Sequence, residues 1–380
     1  MKTAEKLSTL STPALIIDER KMMANIARLN SRPELATVSL RPHLKTAKSV
    51  EAALRLIRTP QGPATVSTLK EAEVYFEAGI SDLIYAVGIS PQKLPRVQAL
   101  RARGCDLKVL LDTSEQAEAL IEALKAHNEP IPALIEIDSD GHRGGLEPGD
   151  ALLIEIGRIL NADGLLLGVL THAGESYNVA GQKAHAEFAE KERLAAVQAA
   201  KALRGAGLPC PIVSAGSTPT AFAIRNTEGL TEVRAGVYVF FDLVMAGIGV
   251  CKVEDIALSV LTSVIGHQRS RGWVLVDAGW MALSRDRGTA RQAVDQGYGL
   301  VCDAEGKVFP DLIVSAVNQE HGIISLRPGS THSLPDLPVG AQLRILPNHA
   351  CATAAQFDSY FVIPEETEAP LLIWPRFGGW

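Results

Sequence analysis

The sequence predicts an α/β chain: a (β/α)8 barrel of the TIM type followed by a mostly antiparallel β domain. Three observations carry this. The 380 residues exceed what one small core holds at roughly 150 residues per domain. Up to about residue 240 a short apolar, β-rich run alternates with a longer stretch of helical period, the pattern of βα units on a parallel sheet. After about residue 255 the helical period fades, and short strand-like runs divided by turn residues replace it.

In chain order the barrel strands are read at 37–41, 64–67, 83–87, 107–112, 133–138, 165–172, 212–215 and 232–235. Helical stretches at 49–57, 68–78, 114–126, 150–160, 182–206 and 220–226 lie between them. Eight strands alternating with helices over about 200 residues fit a closed barrel better than an open doubly wound sheet. Thr68-Leu69-Lys70-Glu71 has the capping-box form that opens a helix directly after a strand. The later runs are 259–265, 273–278, 312–317, 322–326, 342–345 and 359–362, punctuated by Arg327-Pro328-Gly329-Ser330 and Leu337-Pro338-Val339-Gly340. The expected division is 20–255 for the barrel and 256–380 for the β domain. An early run at 14–18 brings residues 1–19 into the second domain if it pairs there.

Composition narrows the function. Hydrophobic residues make 47% and charged residues 21% of the chain, the usage of a folded globular protein. The charges sum to 37 − 43 = −6, so no basic surplus exists to neutralise a nucleic-acid backbone or an anionic membrane. No run approaches the roughly 20 apolar residues that cross a bilayer, and the opening residues lack the apolar core of a signal peptide; the expected location is the cytoplasm. The five cysteines, Cys105, Cys210, Cys251, Cys302 and Cys351, form an odd set without disulfide-like spacing, which fits reduced thiols.

A barrel places its active site at the C-terminal strand ends. The first strand runs into Arg41-Pro42-His43-Leu44-Lys45-Thr46. A lysine there is either a solvated surface charge or, desolvated in the barrel mouth, an amine able to form a Schiff base with a carbonyl. The seventh and eighth strands end in Ala215-Gly216-Ser217-Thr218-Pro219-Thr220 and Ala235-Gly236-Val237-Tyr238. Each is either an ordinary capped turn or part of a phosphate cradle built from bare backbone, hydroxyls and helix-opening amides. A lysine at one strand end and a phosphate cradle at two others together point to pyridoxal phosphate, a phosphorylated aldehyde.

The run Arg41-Pro42-His43-Leu44-Lys45-Thr46 resembles the cofactor-lysine motif of the metal-dependent D-serine dehydratase, D-threo-3-hydroxyaspartate dehydratase and D-threonine aldolase family, a branch of the alanine-racemase-like pyridoxal-phosphate enzymes. The resemblance spans nearly the whole chain through Asp138 with Gly141 and Arg143, His172 to Tyr177, Gly216 to Thr220, Asp277-Ala278-Gly279 and Glu320-His321-Gly322. It implies that Lys45 holds the cofactor as a Schiff base and serves as catalytic base. It also implies that Gly216, Ser217, Thr218, Gly236 and Tyr238 surround the phosphate, that Arg143 approaches the phenolic oxygen, and that His172 and Tyr177 line the ring pocket. A homodimer is implied as well.

In Pro347-Asn348-His349-Ala350-Cys351 an imidazole and a thiol stand at i and i+2, the spacing that shares one face of a strand. Such a pair suits zinc or serves structure alone. The resemblance makes it a divalent-metal site, for zinc, manganese, cobalt or magnesium, and cysteine rather than aspartate at Cys351 marks the dehydratases over the aldolases. The expected activity is elimination from a small 3-hydroxy D-amino acid, first D-threo-3-hydroxyaspartate, giving oxaloacetate and ammonia. The alternatives are D-serine, giving pyruvate, and a D-threonine aldolase. His321, Gln319 and Arg143 are the candidates for a side-chain carboxylate of the substrate. A racemase needs no metal, and a non-catalytic cofactor carrier is usually a single barrel, so the second domain and the His349–Cys351 pair speak against both.

Overall fold

The computed structural model describes residues 3–366 and 368–380. The chain forms two compact units, one made of Arg28–Gly236 with Gly379–Trp380, the other of the segment ending at Ala27 with Val237–Gly378. The break thus falls at 236/237 rather than at the expected 255. The stretch in between turns away from the strand–helix repeat because its amides bond elsewhere: Leu243 and Val244 donate to the carbonyls of Pro347 and Asn348.

Numbered along the chain, β1 (Ala14–Asp18) belongs to the second unit. The barrel unit holds β2 (Ser39–Pro42), β3 (Ala64–Val66), β4 (Asp82–Gly88), β5 (Asp106–Leu111), β6 (Ala133–Ile137), β7 (Leu166–Thr171), β8 (Ile212–Ala215) and β9 (Glu232–Ala235). All are parallel, in the order β2-β9-β8-β7-β6-β5-β4-β3. A parallel bridge between His43 and Thr65 joins the two end strands and closes the ring. These are the eight strands read from the sequence, closed into a parallel barrel.

Alternation along the registered strands puts Ile84, Leu110, Leu134 and Leu170 on one face, where they form a buried cluster. Lys108, Glu136, Ser214, Glu232 and Arg234 share that face. Barrel interiors are ordinarily filled by branched apolar side chains, so buried charges here must be paired. Arg41 Nε donates to Glu232 at 2.7 Å and Nη1 to Asp82 at 2.9 Å, Lys108 reaches Asp82 at 2.7 Å, and Ser214 donates to Glu232 at 2.6 Å. Arg234 donates to Ser214 and to the Thr171 carbonyl, both at 2.5 Å. Burial opposes the Asp82 charge, but Arg41 and Lys108 outweigh it and hold the carboxyl below its ordinary range.

The second unit is a nine-stranded sheet. It adds β10 (Leu258–Gln268), β11 (Trp273–Val276), β12 (Leu300–Asp303), β13 (Val308–Val317), β14 (Gly322–Leu326), β15 (Gln342–Leu346), β16 (Ser359–Ile363) and β17 (Leu372–Pro375). The 11 residues of β10 pair with β1 in their first half and β11 in their second, while β15 takes the opposite edge. That double use of one edge closes a ring of β10, β11, β14, β13, β12 and β15. The early run does pair here, antiparallel to β10 and parallel to β16. The Asp277 carboxylate accepts from Thr12, Thr262 and the Ser263 amide, and so pins β10 to β11. No helix among the described residues is long and apolar enough to cross a membrane.

Two outcomes are expected for the barrel. Glu232→Gln leaves Arg41 and Arg234 short of buried counter-charge, and the chemical-denaturation free energy should fall by roughly 3–5 kcal/mol. Asp82, whose folded pKa is depressed, contributes stability that is present above its unfolded value near 3.9 and is lost as pH falls through the folded value. Asp82→Asn should therefore be less stable at pH 7 and show a shallower acid-side loss when melting is followed from pH 7 to 3.

Candidate active site

The parallel ring collects its strand ends at one rim. Lys45 sits in the 3-10 turn Leu44–Thr46 that leaves β2. Burial, then the Lys45 charge, holds the His43 imidazole well below the histidine range and pushes His172 down to about 3. Both rings are therefore neutral near the amine. His172 follows β7, and its Nδ1 lies 3.1 Å from the Gly216 carbonyl. A carbonyl only accepts, so Nδ1 carries the hydrogen and Nε2 keeps a lone pair. Tyr177, in the turn Gly174–Asn178, stands 6.2 Å from His172 between ring centroids.

The ends of β8 and β9 bring bare backbone to the same rim. Gly216 has φ +135°, and a Cβ there would lie 2.3 Å from the Arg234 carbonyl oxygen; one on Gly236 would come within 3.2 Å of His43 Cβ. Ser217 caps the helix Thr218–Ala223 in a reciprocal capping box with Thr220. Its hydroxyl also shares a hydrogen bond with Ser176 at 2.9 Å, and Thr218 Oγ1 accepts from the Gly236 amide at 3.2 Å. Glu192, buried in the long helix Gln182–Gly205, accepts from the Ala173 amide and the Thr220 hydroxyl, each at 2.7 Å. One carboxylate thus ties the segment after β7 to the segment after β8. Arg143 stands on the loop after β6, 56% exposed, with Nη2 3.5 Å from Glu136.

These residues fit a phosphorylated aldehyde: an amine on a strand end, neutral imidazoles beside it, a glycine at 216 where a side chain would collide with backbone, and one at 236 where a side chain would be tight. The structure brings Lys45, His172, Tyr177, Gly216, Ser217, Thr218 and Gly236 to the barrel rim. Tyr238, in the turn Val237–Val239, is a fully buried residue of the other unit.

The second unit carries the imidazole and thiol. One expectation is corrected: β15 ends at Leu346, and His349 and Cys351 do not lie on a strand. His349 is the extended residue that opens the helix Ala350–Ala354, with Cys351 in its first turn. Pro347 cannot extend the ladder, and the buried Asp242 carboxylate draws the chain into the helix by accepting from the Ala350 amide at 2.9 Å. The pair still meets, since the Cys351 side chain hydrogen-bonds the imidazole. His349 Nδ1 is 2.7 Å from Asp286 Oδ2. Burial works against the imidazolium, but Asp286, Cys351 and Asp242 prevail and push its pKa up to about 11. An imidazole nitrogen and a sulfur are a donor set that fits zinc with open positions left for water or substrate. Among the described residues no cluster of three or more metal-ligating side chains occurs.

Asp286, Glu192, Arg234 and Asp242 carry no signal in the sequence. Glu192 looks like any surface charge of a long helix, and Asp286 lies 63 residues from its partner in a segment without periodicity. Gln319 and His321 fall on the β13–β14 turn, where the Gln319 carbonyl receives the Met281 amide.

Comparison with known proteins agrees with this architecture. Residues 17–244 match the family model "Alanine racemase, N-terminal domain", and residues 257–363 match "Putative serine dehydratase domain". A D-threo-3-hydroxyaspartate dehydratase of Delftia sp. (strain HT23) is 52% identical over 99% of this chain and 100% of that protein, and its solved structure superposes with a TM-score of 0.95. Its solved forms include a cysteine-to-alanine mutant in the metal-free form and a histidine-to-alanine mutant, the two positions separated by one residue. The D-serine dehydratase of Schizosaccharomyces pombe is 30% identical over 98% of this chain and 93% of that protein. The structure of a D-threonine aldolase from Filomicrobium marinum is 27% identical with a TM-score of 0.81, covering 97% of this chain and 96% of that one. The chain belongs to the alanine-racemase-like family of D-threo-3-hydroxyaspartate dehydratases, D-serine dehydratases and D-threonine aldolases.

Proposed function

We propose that the protein is a pyridoxal-phosphate- and divalent-metal-dependent dehydratase that converts D-threo-3-hydroxyaspartate to oxaloacetate and ammonia. The observation that carries the reading is the full-length 52% identity to the Delftia dehydratase. The metal-free cysteine mutant of that enzyme adds support, because its mutated histidine and cysteine have the spacing of His349 and Cys351.

Lys45 is the residue that would hold the cofactor, with Gly216, Ser217, Thr218, Gly236 and Tyr238 around its phosphate, and Arg143, His172 and Tyr177 around its ring. Bound pyridoxal phosphate supplies an electron sink for the α-carbon of an amino acid. The work left to the chain is to move protons and fix groups. Lys45 Nζ takes the α-hydrogen as general base. His43 and His172, kept neutral by burial and by the amine's own charge, add no competing positive charge beside it. Glu192 and the Gly216 carbonyl hold the rim segments and the His172 tautomer in place.

His349 and Cys351 are the residues that would hold the cation. A bound divalent metal supplies a Lewis acid that makes the β-hydroxyl a better leaving group, since zinc lowers the pKa of bound water from about 15.7 to about 7. Loss of water from the substrate and hydrolysis of the resulting imine balance, so the net products are oxaloacetate and ammonia. Zinc is the first ion to test and a homodimer the expected assembly.

The deciding assay measures keto acid and ammonia from D-threo-3-hydroxyaspartate, D-serine and D-threonine side by side, with and without EDTA. Metal-dependent oxaloacetate release, faster than pyruvate or 2-oxobutyrate release, is expected; glycine plus an aldehyde without keto acid makes the protein an aldolase. Lys45→Ala should lose the cofactor's visible absorbance band, and a retained band would contradict its role. His349→Ala and Cys351→Ala should keep that band, lose bound zinc, and drop in turnover by about 10²-fold or more, the loss of several kcal/mol of Lewis-acid assistance. Full turnover of either variant in EDTA would remove the metal from the mechanism.

A further inference from the structure

The metal pair is gripped by a residue that nothing in its sequence neighbourhood announces. Asp286 is fixed at four atoms: its amide donates to Ser284 Oγ at 3.2 Å, its carbonyl accepts from Asn348 Nδ2 at 3.0 Å, Oδ1 accepts from the Gly288 amide at 2.7 Å, and Oδ2 meets His349 Nδ1 at 2.7 Å. Two of these bonds close a ring, because Asn348 and His349 are consecutive and both end on residue 286. Asn348 is itself held by the Gly297 carbonyl at 2.7 Å and by Thr289 Oγ1 at 3.1 Å. The chain thus holds the His349 ring from its backbone side and its Nδ1 side at once. Lost rotamer freedom is settled in folding rather than at ligand binding.

We infer that Asp286 is a positioning residue for the metal site: it takes the Nδ1 hydrogen of His349 and fixes the tautomer whose Nε2 holds the lone pair a divalent cation needs. This rests on the proposed metal role of His349 and Cys351. An ionised carboxylate only accepts, so in this pair the hydrogen belongs to Nδ1, and a neutral ring then has a bare Nε2. Carboxylate–histidine–metal arrangements of this kind typically change metal affinity by 10–100-fold when the carboxylate is removed. Nothing here requires Asp286 to touch metal or substrate.

The test is zinc affinity of the full-length, cofactor-loaded protein, measured by competition with a chromogenic chelator. Asp286→Ala should bind zinc 10–100-fold more weakly. Asp286→Asn, whose side-chain oxygen still accepts from Nδ1, should recover part of that loss. Cobalt loading gives a second readout: the thiolate-to-cobalt absorption should persist in both variants, because Cys351 is untouched. Zinc affinity within twofold of the wild type in both variants overturns the inference and leaves the proposed function standing. A wild type that binds no zinc overturns the metal reading and this inference with it. If Asp286→Ala fails to fold, judged by circular dichroism and the cofactor band, Asp286→Asn decides: weakened binding supports the role and unchanged binding overturns it.

Discussion

A ring of parallel strands has one C-terminal rim, and in the barrel unit that constraint does most of the organising. Lys45, His172, Gly216 and Gly236 meet although they are spread over most of the unit's sequence, because each lies within a few residues of a strand end. The ring must also tolerate what its interior carries. Arg41, Glu232, Asp82, Lys108 and Arg234 occupy space that usually belongs to branched apolar side chains. Their mutual pairing is what lets a charged interior coexist with a closed barrel.

The electrostatics of the rim follow from burial more than from any one partner. His43 and His172 lose their charge chiefly by desolvation, with the Lys45 amine second. Neutral imidazoles can accept and donate without adding positive charge beside the Lys45 amine. In the second unit the balance runs the other way. Burial pulls the His349 pKa down, but Asp286, then Cys351 and Asp242, raise it.

Much of this is legible in the residues. The eight barrel strands lie close to their expected ends, since buried parallel strands read as compact apolar runs bounded by turns. The lysine motif and the His349–Cys351 pair stand out because their chemistry is local. What cannot be read is what arises only from folding. The segment around His349 has the spacing of a strand, yet Asp242, more than 100 positions away, draws the chain into a helix at Ala350. The strands Leu300–Asp303 and Leu372–Pro375, four residues each, are not among the runs read from the sequence. Arg143 is expected at the ring of the cofactor, and its partner in the structure is Glu136. The Asp286 ring around residues 348 and 349 depends on a loop without periodicity, so nothing in the chain betrays it.

The proposed function has the short segment Asn348–Cys351 take a metal through one nitrogen and one sulfur. X-ray absorption at the zinc edge of the loaded protein tests that directly. The expected shell has one sulfur at about 2.3 Å and one imidazole nitrogen at about 2.0–2.1 Å, the remaining scatterers being oxygen. A zinc shell without sulfur, or one with several sulfurs, would contradict it.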